Sequence, residues 1–66
     1  MKFNEKMKLH RIANGWTQTE LAEKMGVKQA VISRWESETR TPTPRNVVLI
    51  AKALNVEPIY LLKEDE

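Results

Sequence analysis

Side chains able to do covalent or acid–base chemistry are scarce in this 66-residue chain. It has no cysteine and a single histidine, His10. Disulfides and thiolate metal sites are therefore excluded, and one imidazole has no partner of the usual kind for a metal site or a proton relay. No nucleophile–base pair, carboxylate pair, phosphate loop or metal spacing can be assembled. An enzyme is the least expected class, and neither metal nor cofactor is expected. Function is left to cations, amides and hydroxyls, whose chemistry is reversible hydrogen bonding and charge pairing. Residues 1–45 hold nine Lys or Arg against five acids, whereas residues 46–66 hold two against four. A basic front suits a polyanion partner; a solvated mixed-charge face gives the same split. The cluster Lys2, Lys6 and Lys8 is read as such a solvated face, and Glu64-Asp65-Glu66 as a solubilising end.

The elements that must position these groups are short. A chain of this length removes only about 60% of its unfolded surface from water, so a well-packed core has to carry it, with or without help from a partner subunit. With 41% hydrophobic and 30% charged residues, the composition is that of a folded soluble chain. The longest apolar run, Val47 to Ala51, is far below a membrane span. The first residues carry scattered charges and no apolar core segment, so no signal peptide is expected and the cytoplasm is the default compartment.

Periodicity predicts an all-α domain over 1–66, with five short helices and no strand. Helix 1 is expected from about Asn4 to Asn14, with Phe3, Met7, Arg11 and Asn14 on one face and Ile12 beside it; Gly15 ends it. Thr17 followed by Glu20 is a capping box opening helix 2, whose stripe is Leu21, Ala22 and Met25, and Gly26 stops it. After Gly26-Val27-Lys28 a third stripe holds Val27, Ile32 and Trp35, with Val31 alongside. Two helices of about eight residues around a Gly-containing turn form a helix-turn-helix unit, here about 17–37. Residues 37–44 are polar and hold Pro42 and Pro44, which makes a loop, and Thr43-Pro44 is an N-cap and N1 pair for helix 4. Val47, Val48, Ile50, Ala51 and Leu54 drive that helix, and Asn55 can take the left-handed position at its end. Pro58 opens a last turn with Ile59, Leu61 and Leu62, and residues 63–66 are expected to fray. Trp16 and Trp35 are expected to pack in the core, and His10 to lie on the surface or boundary of helix 1.

The spacings T-Q-x-x-L-A-x-x-x-G-V over Thr17–Val27, I-S-x-W-E over Ile32–Glu36 and A-x-A-L-x-V over Ala51–Val56 resemble the lambdoid phage repressor and Cro family, the xenobiotic-response-element class of helix-turn-helix proteins. The likeness runs from about Met7 to Leu62. It implies a compact five-helix fold of lambda-repressor type, with the third helix in the major groove of double-stranded DNA. By position it implies base contacts from Gln29, Ala30, Val31, Ser33 and Arg34. A Gln29 carboxamide can pair with adenine N6 and N7, and the apolar Ala30 and Val31 can pack on thymine methyls. Gln29 as a merely solvated residue is the alternative. Phosphate contacts are implied for Asn14, Thr17, Gln18, Lys28, Arg40, Thr43 and Arg45, which set register without reading sequence. Lys28 stands where relatives often carry a Ser or Thr cap. The resemblance also implies that Gln18 braces Gln29, and that Arg11 and Glu36 form a structural ion pair between helix 1 and the end of helix 3.

The function implied is a transcriptional regulator, most simply a repressor bound as a homodimer to a near-palindromic operator. The dimer surface is assigned to Val56, Pro58, Ile59, Leu61 and Leu62, and closure of the core by Leu61 and Leu62 is the competing role. Two alternatives stand. One is an antitoxin or anti-regulator with a protein as its main partner; the other is the DNA-binding part of a longer repressor.

Overall fold

The computed structural model describes residues 1–63. Its five helices are α1 (Phe3–Ala13), α2 (Gln18–Met25), α3 (Gln29–Ser37), α4 (Pro44–Leu54) and α5 (Pro58–Leu62), with no strand among the described residues. All but residue 63 of the segment expected to fray lies outside them.

Three of the helices end alike, and those endings route the chain. After α1, α2 and α4 comes a left-handed residue: Gly15 at φ 77°, Gly26 at φ 70° and Asn55 at φ 61°. In each case the next residue donates its N–H back to a carbonyl five residues earlier: Trp16 to Arg11, Val27 to Ala22 and Val56 to Ala51, at 3.1, 3.0 and 2.9 Å. This is the Schellman arrangement, which satisfies a terminal carbonyl and needs a residue tolerant of positive φ. The apolar residue behind each stop, Trp16, Val27 or Val56, then packs against the core. A left-handed residue followed by an apolar one thus turns the chain and anchors the turn at once.

The core takes one stripe from every helix: Phe3 and Met7; Leu21 and Ala22; Ile32 and Trp35; Val47, Ile50, Ala51 and Leu54; and Leu61. Spacings of three and four place these on single faces. α2 and α3 pack together across the three-residue turn 26–28, and α1 and α4 close the other sides. The whole measures 30 × 20 × 19 Å.

Several expectations need correction. α1 starts one residue earlier than Asn4, because the Lys2 N–H donates to Glu5 Oε1 at 2.9 Å and sets the first turn. Ile12 and Val48 are exposed, each about a hundred degrees round the helix from its buried neighbour. Thr43 sits at the N-cap of α4 but makes no side-chain capping hydrogen bond. Leu61, assigned to a subunit surface, is 1% exposed and closes the core under α1 and α4, leaving Ile59 and Leu62 outside. The largest departure is Lys6. Expected on a solvated face, it is fully buried, with its ammonium donating to the carbonyls of Tyr60, at 2.9 Å, and Lys63. It also lies 4.7 Å from the Tyr60 ring centre. The cation sits where the last carbonyls of α5 need a donor.

Candidate nucleic-acid interface

α2 and α3 bring their N-termini to the same side of the molecule, and a chain of hydrogen bonds joins them to the interior. At the start of α2, Thr17 and Glu20 form a reciprocal capping box: the Glu20 N–H donates to Thr17 Oγ1 at 3.1 Å, and the Thr17 N–H to Glu20 Oε1 at 2.8 Å. That box makes Gln18 the first residue of α2, just as the turn at Gly26 makes Gln29 the first residue of α3. Gln29 Nε2 donates to Gln18 Oε1 at 2.6 Å, and Gln18 Nε2 donates to Glu36 Oε1 at 3.2 Å.

The inner end of this chain is an ion pair. Arg11 donates from Nε to Glu36 Oε2 at 2.7 Å and from Nη2 to Glu36 Oε1 at 3.1 Å; its Nη1 donates to the Trp16 carbonyl at 2.7 Å. The two side chains are 10% and 3% exposed. Forked pairing of this kind ties α1 to the last turn of α3 and to the segment entering α2. A buried pair need not add net stability, but removing one partner strands the other and costs about 3–5 kcal/mol. The Asn4 side-chain amide donates to the Glu36 carbonyl at 3.3 Å, while Asn4 Oδ1 is buried with no hydrogen-bond partner. Accessibility rises along the series: Glu36 is buried, Gln18 half-buried and Gln29 exposed. An exposed amide is thus aimed by an interior that cannot shift without breaking a salt bridge.

Around Gln29, α3 shows two faces. Ile32, Trp35 and Glu36 point inward, whereas Ala30 and Arg34 are exposed and Ser33 is half-buried. Val31 packs against the core, so only part of its surface faces outward. Lys28 is the N-cap of α3, is exposed and makes no capping bond, so the first N–H groups of the helix lack a side-chain acceptor from it. Arg34 approaches Glu38 at 3.7 Å; both are well exposed, and such a pair is worth little. Arg34, Glu38, Arg40 and Thr43 line one groove with Trp35 and Asn46, so the loop before α4 shares that groove with the end of α3. Arg45 is exposed on the first turn of α4. Asn14 turns its amide back onto the His10 carbonyl at 2.7 Å, which caps α1.

Three features of the molecule, one of them in this interface, were not expected from the sequence. The Gln18–Glu36 bond spans 18 residues and has no local signal. The burial of Lys6 had one: position 6 falls on the Phe3–Met7 side of α1. His10 Nε2 lies 2.9 Å from the Tyr60 hydroxyl, with the rings edge to face, a contact that needs α5 folded back onto α1.

A sequence model described as helix-turn-helix matches residues 7–61. The chain belongs to the helix-turn-helix family, in its phage repressor and Cro type. Among family relatives, Antitoxin HipB of Escherichia coli strain K12 is 46% identical over 50 residues, a stretch that takes in 76% of this chain and 57% of HipB. This chain therefore spans less than two thirds of that relative. The crystal structure of the P22 c2 repressor in complex with a synthetic operator superposes with a TM-score of 0.86 at 32% identity, over 98% of both chains. A chain in the structure of the HipA-HipB-O2-O3 complex gives a TM-score of 0.71 at 36% identity, covering 96% of this chain and 83% of that one. No helix among the described residues is long and apolar enough to cross a membrane.

Proposed function

We propose that this chain is a sequence-specific, double-stranded DNA-binding transcriptional regulator, a cytoplasmic repressor that acts by occupancy and carries no enzymatic activity. The observation that supports it most is the Gln29–Gln18 bond of 2.6 Å, which holds an exposed carboxamide at the first residue of α3. It does so in a fold shared with a repressor solved on its operator. In this reading α3 lies in the major groove. Gln29 reads adenine through N6 and N7, Ala30 and the outer part of Val31 meet thymine methyls, and Ser33 and Arg34 reach neighbouring base edges. Lys28, Arg40, Thr43 and Arg45 neutralise or bond phosphates, joined by Thr17, Asn14 and Gln18 near the α2 N-terminus, where the helix dipole favours an anion. Two copies associate through Ile59 and Leu62, flanked by the half-buried Val56 and Pro58. Their half-sites then lie about one helical turn, 34–36 Å, apart.

Selection of bound sites from random duplexes tests all of this together. The expected product is a two-fold symmetric site with an adenine at one fixed position in each half. Recovery without any common sequence at physiological salt overturns the reading. The likeness to HipB favours a second reading, an antitoxin whose DNA binding is autoregulatory and whose main partner is a protein. Full operator affinity of the isolated chain supports the first; tight operator binding only together with a copurifying protein partner supports the second.

A further inference from the structure

We infer that Glu36, though buried on the far side of α3, is a positioning residue that sets which base Gln29 prefers. The inference rests on the reading of Gln29 as a base-contacting residue. It follows from the direction in which hydrogen bonds can run. The Glu36 carboxylate, forked onto Arg11, has lone pairs and no proton to give. Its third hydrogen bond comes from Gln18, which must therefore turn its NH2 group inward and so sends its carbonyl oxygen toward α3. At 2.6 Å from that oxygen, Gln29 must in turn present its own NH2.

The acceptor-only character of one interior carboxylate is thereby passed through two amides to the surface. One of the two N–H bonds of Gln29 is consumed. Facing outward are one N–H and the carbonyl oxygen, a donor beside an acceptor. That pair matches the adenine edge, an acceptor at N7 beside a donor at N6. It mismatches guanine, whose N7 and O6 both accept. An unrestrained glutamine could turn both N–H bonds toward guanine, and the relay forbids it.

Replacing Glu36 by an amide removes the constraint. In Glu36→Gln the new side chain gives its oxygen to Arg11, which only donates, and can offer its NH2 to Gln18. The relay can then run backwards and leave both Gln29 N–H bonds outward. Gln18→Met breaks the relay with the Arg11–Glu36 pair intact, and serves if the Glu36 variant folds poorly.

The experiment measures equilibrium affinity for duplexes carrying A·T or G·C at the Gln29-dependent position of the selected half-site, with a second, unrelated position varied as reference. In both variants the adenine-over-guanine ratio at the first position is expected to fall about tenfold, the scale of one good base contact, while the ratio at the reference position holds. A merely structural loss would weaken all duplexes alike and leave both ratios unchanged. A wild-type ratio in either folded variant overturns the inference. Separately, an adenine preference that survives Gln29→Ala removes the base-reading role itself, and the inference falls with it for that distinguishable reason.

Discussion

Lys6 offers the most demanding test of how α5 is held. Its ammonium donates to the carbonyls of Tyr60 and Lys63 and lies 4.7 Å from the Tyr60 ring centre. The side chain has no exposed surface. Hydrogen bonds from a charged donor contribute about 1.5–3 kcal/mol each, and a partly shielded cation–π contact about 0.5–1 kcal/mol. Against these stands the cost of taking the ammonium out of water, several kcal/mol in an interior. Residue 63 is exposed, so water can recover part of what is lost there. A net contribution of about 2 kcal/mol is expected, read by Lys6→Met, which keeps the packed stem and removes the charge. Lys6→Ala adds a cavity and should cost about 4 kcal/mol in all. At about 0.05–0.15 kcal/mol per residue, a domain of this size has only some 3–10 kcal/mol to lose. Urea unfolding is the assay: with a slope of about 1 kcal/mol/M, Lys6→Met should lower the midpoint by about 2 M at unchanged slope. A shift within about 0.5 kcal/mol of wild type, the range of ordinary surface changes, would refute the reasoning that the buried ammonium contributes net stability through α5.

Gln29→Ala should weaken operator binding by about 1–3 kcal/mol with little effect on random duplex, measured by competition titration; equal losses on both would take Gln29 off the bases. Lys28→Ala and Arg45→Ala should each flatten the plot of log affinity against log salt by about one unit, and an unchanged slope removes that residue from the phosphate contacts. Leu61→Ala should destabilise the fold by about 2–5 kcal/mol, as a buried leucine does. Ile59→Ser, at a position 74% exposed, should leave unfolding within about 0.5 kcal/mol of wild type yet weaken self-association in sedimentation; equal association by the two proteins would move the dimer surface elsewhere.

Much of this molecule is legible along the chain because its signals are local. The Thr17–Glu20 box, the left-handed stops at Gly15, Gly26 and Asn55, and the stripes of Leu21, Ile32 and Ile50 each depend on residues within a turn or two. The motif around Gln18, Gln29 and Glu36 could be noticed for the same reason. Its likeness to the family also implied the Gln18–Gln29 brace and the Arg11–Glu36 pair, both present; the link joining them was not legible, since Gln18 and Glu36 meet only after α3 has crossed α2.

The amino-acid order by itself determined five helices, where they stop, and the main residues of the stripe on each that avoids water, because those follow from backbone geometry and nearest neighbours. Only the tertiary structure decided that Lys6 is inside, that Leu61 closes the core while Ile59 does not, and that one carboxylate directs two amides toward the surface. Burial and the direction of a hydrogen bond belong to the partner a group meets. For Lys6 that partner is 54 residues away, and for Glu36 it lies on two other helices.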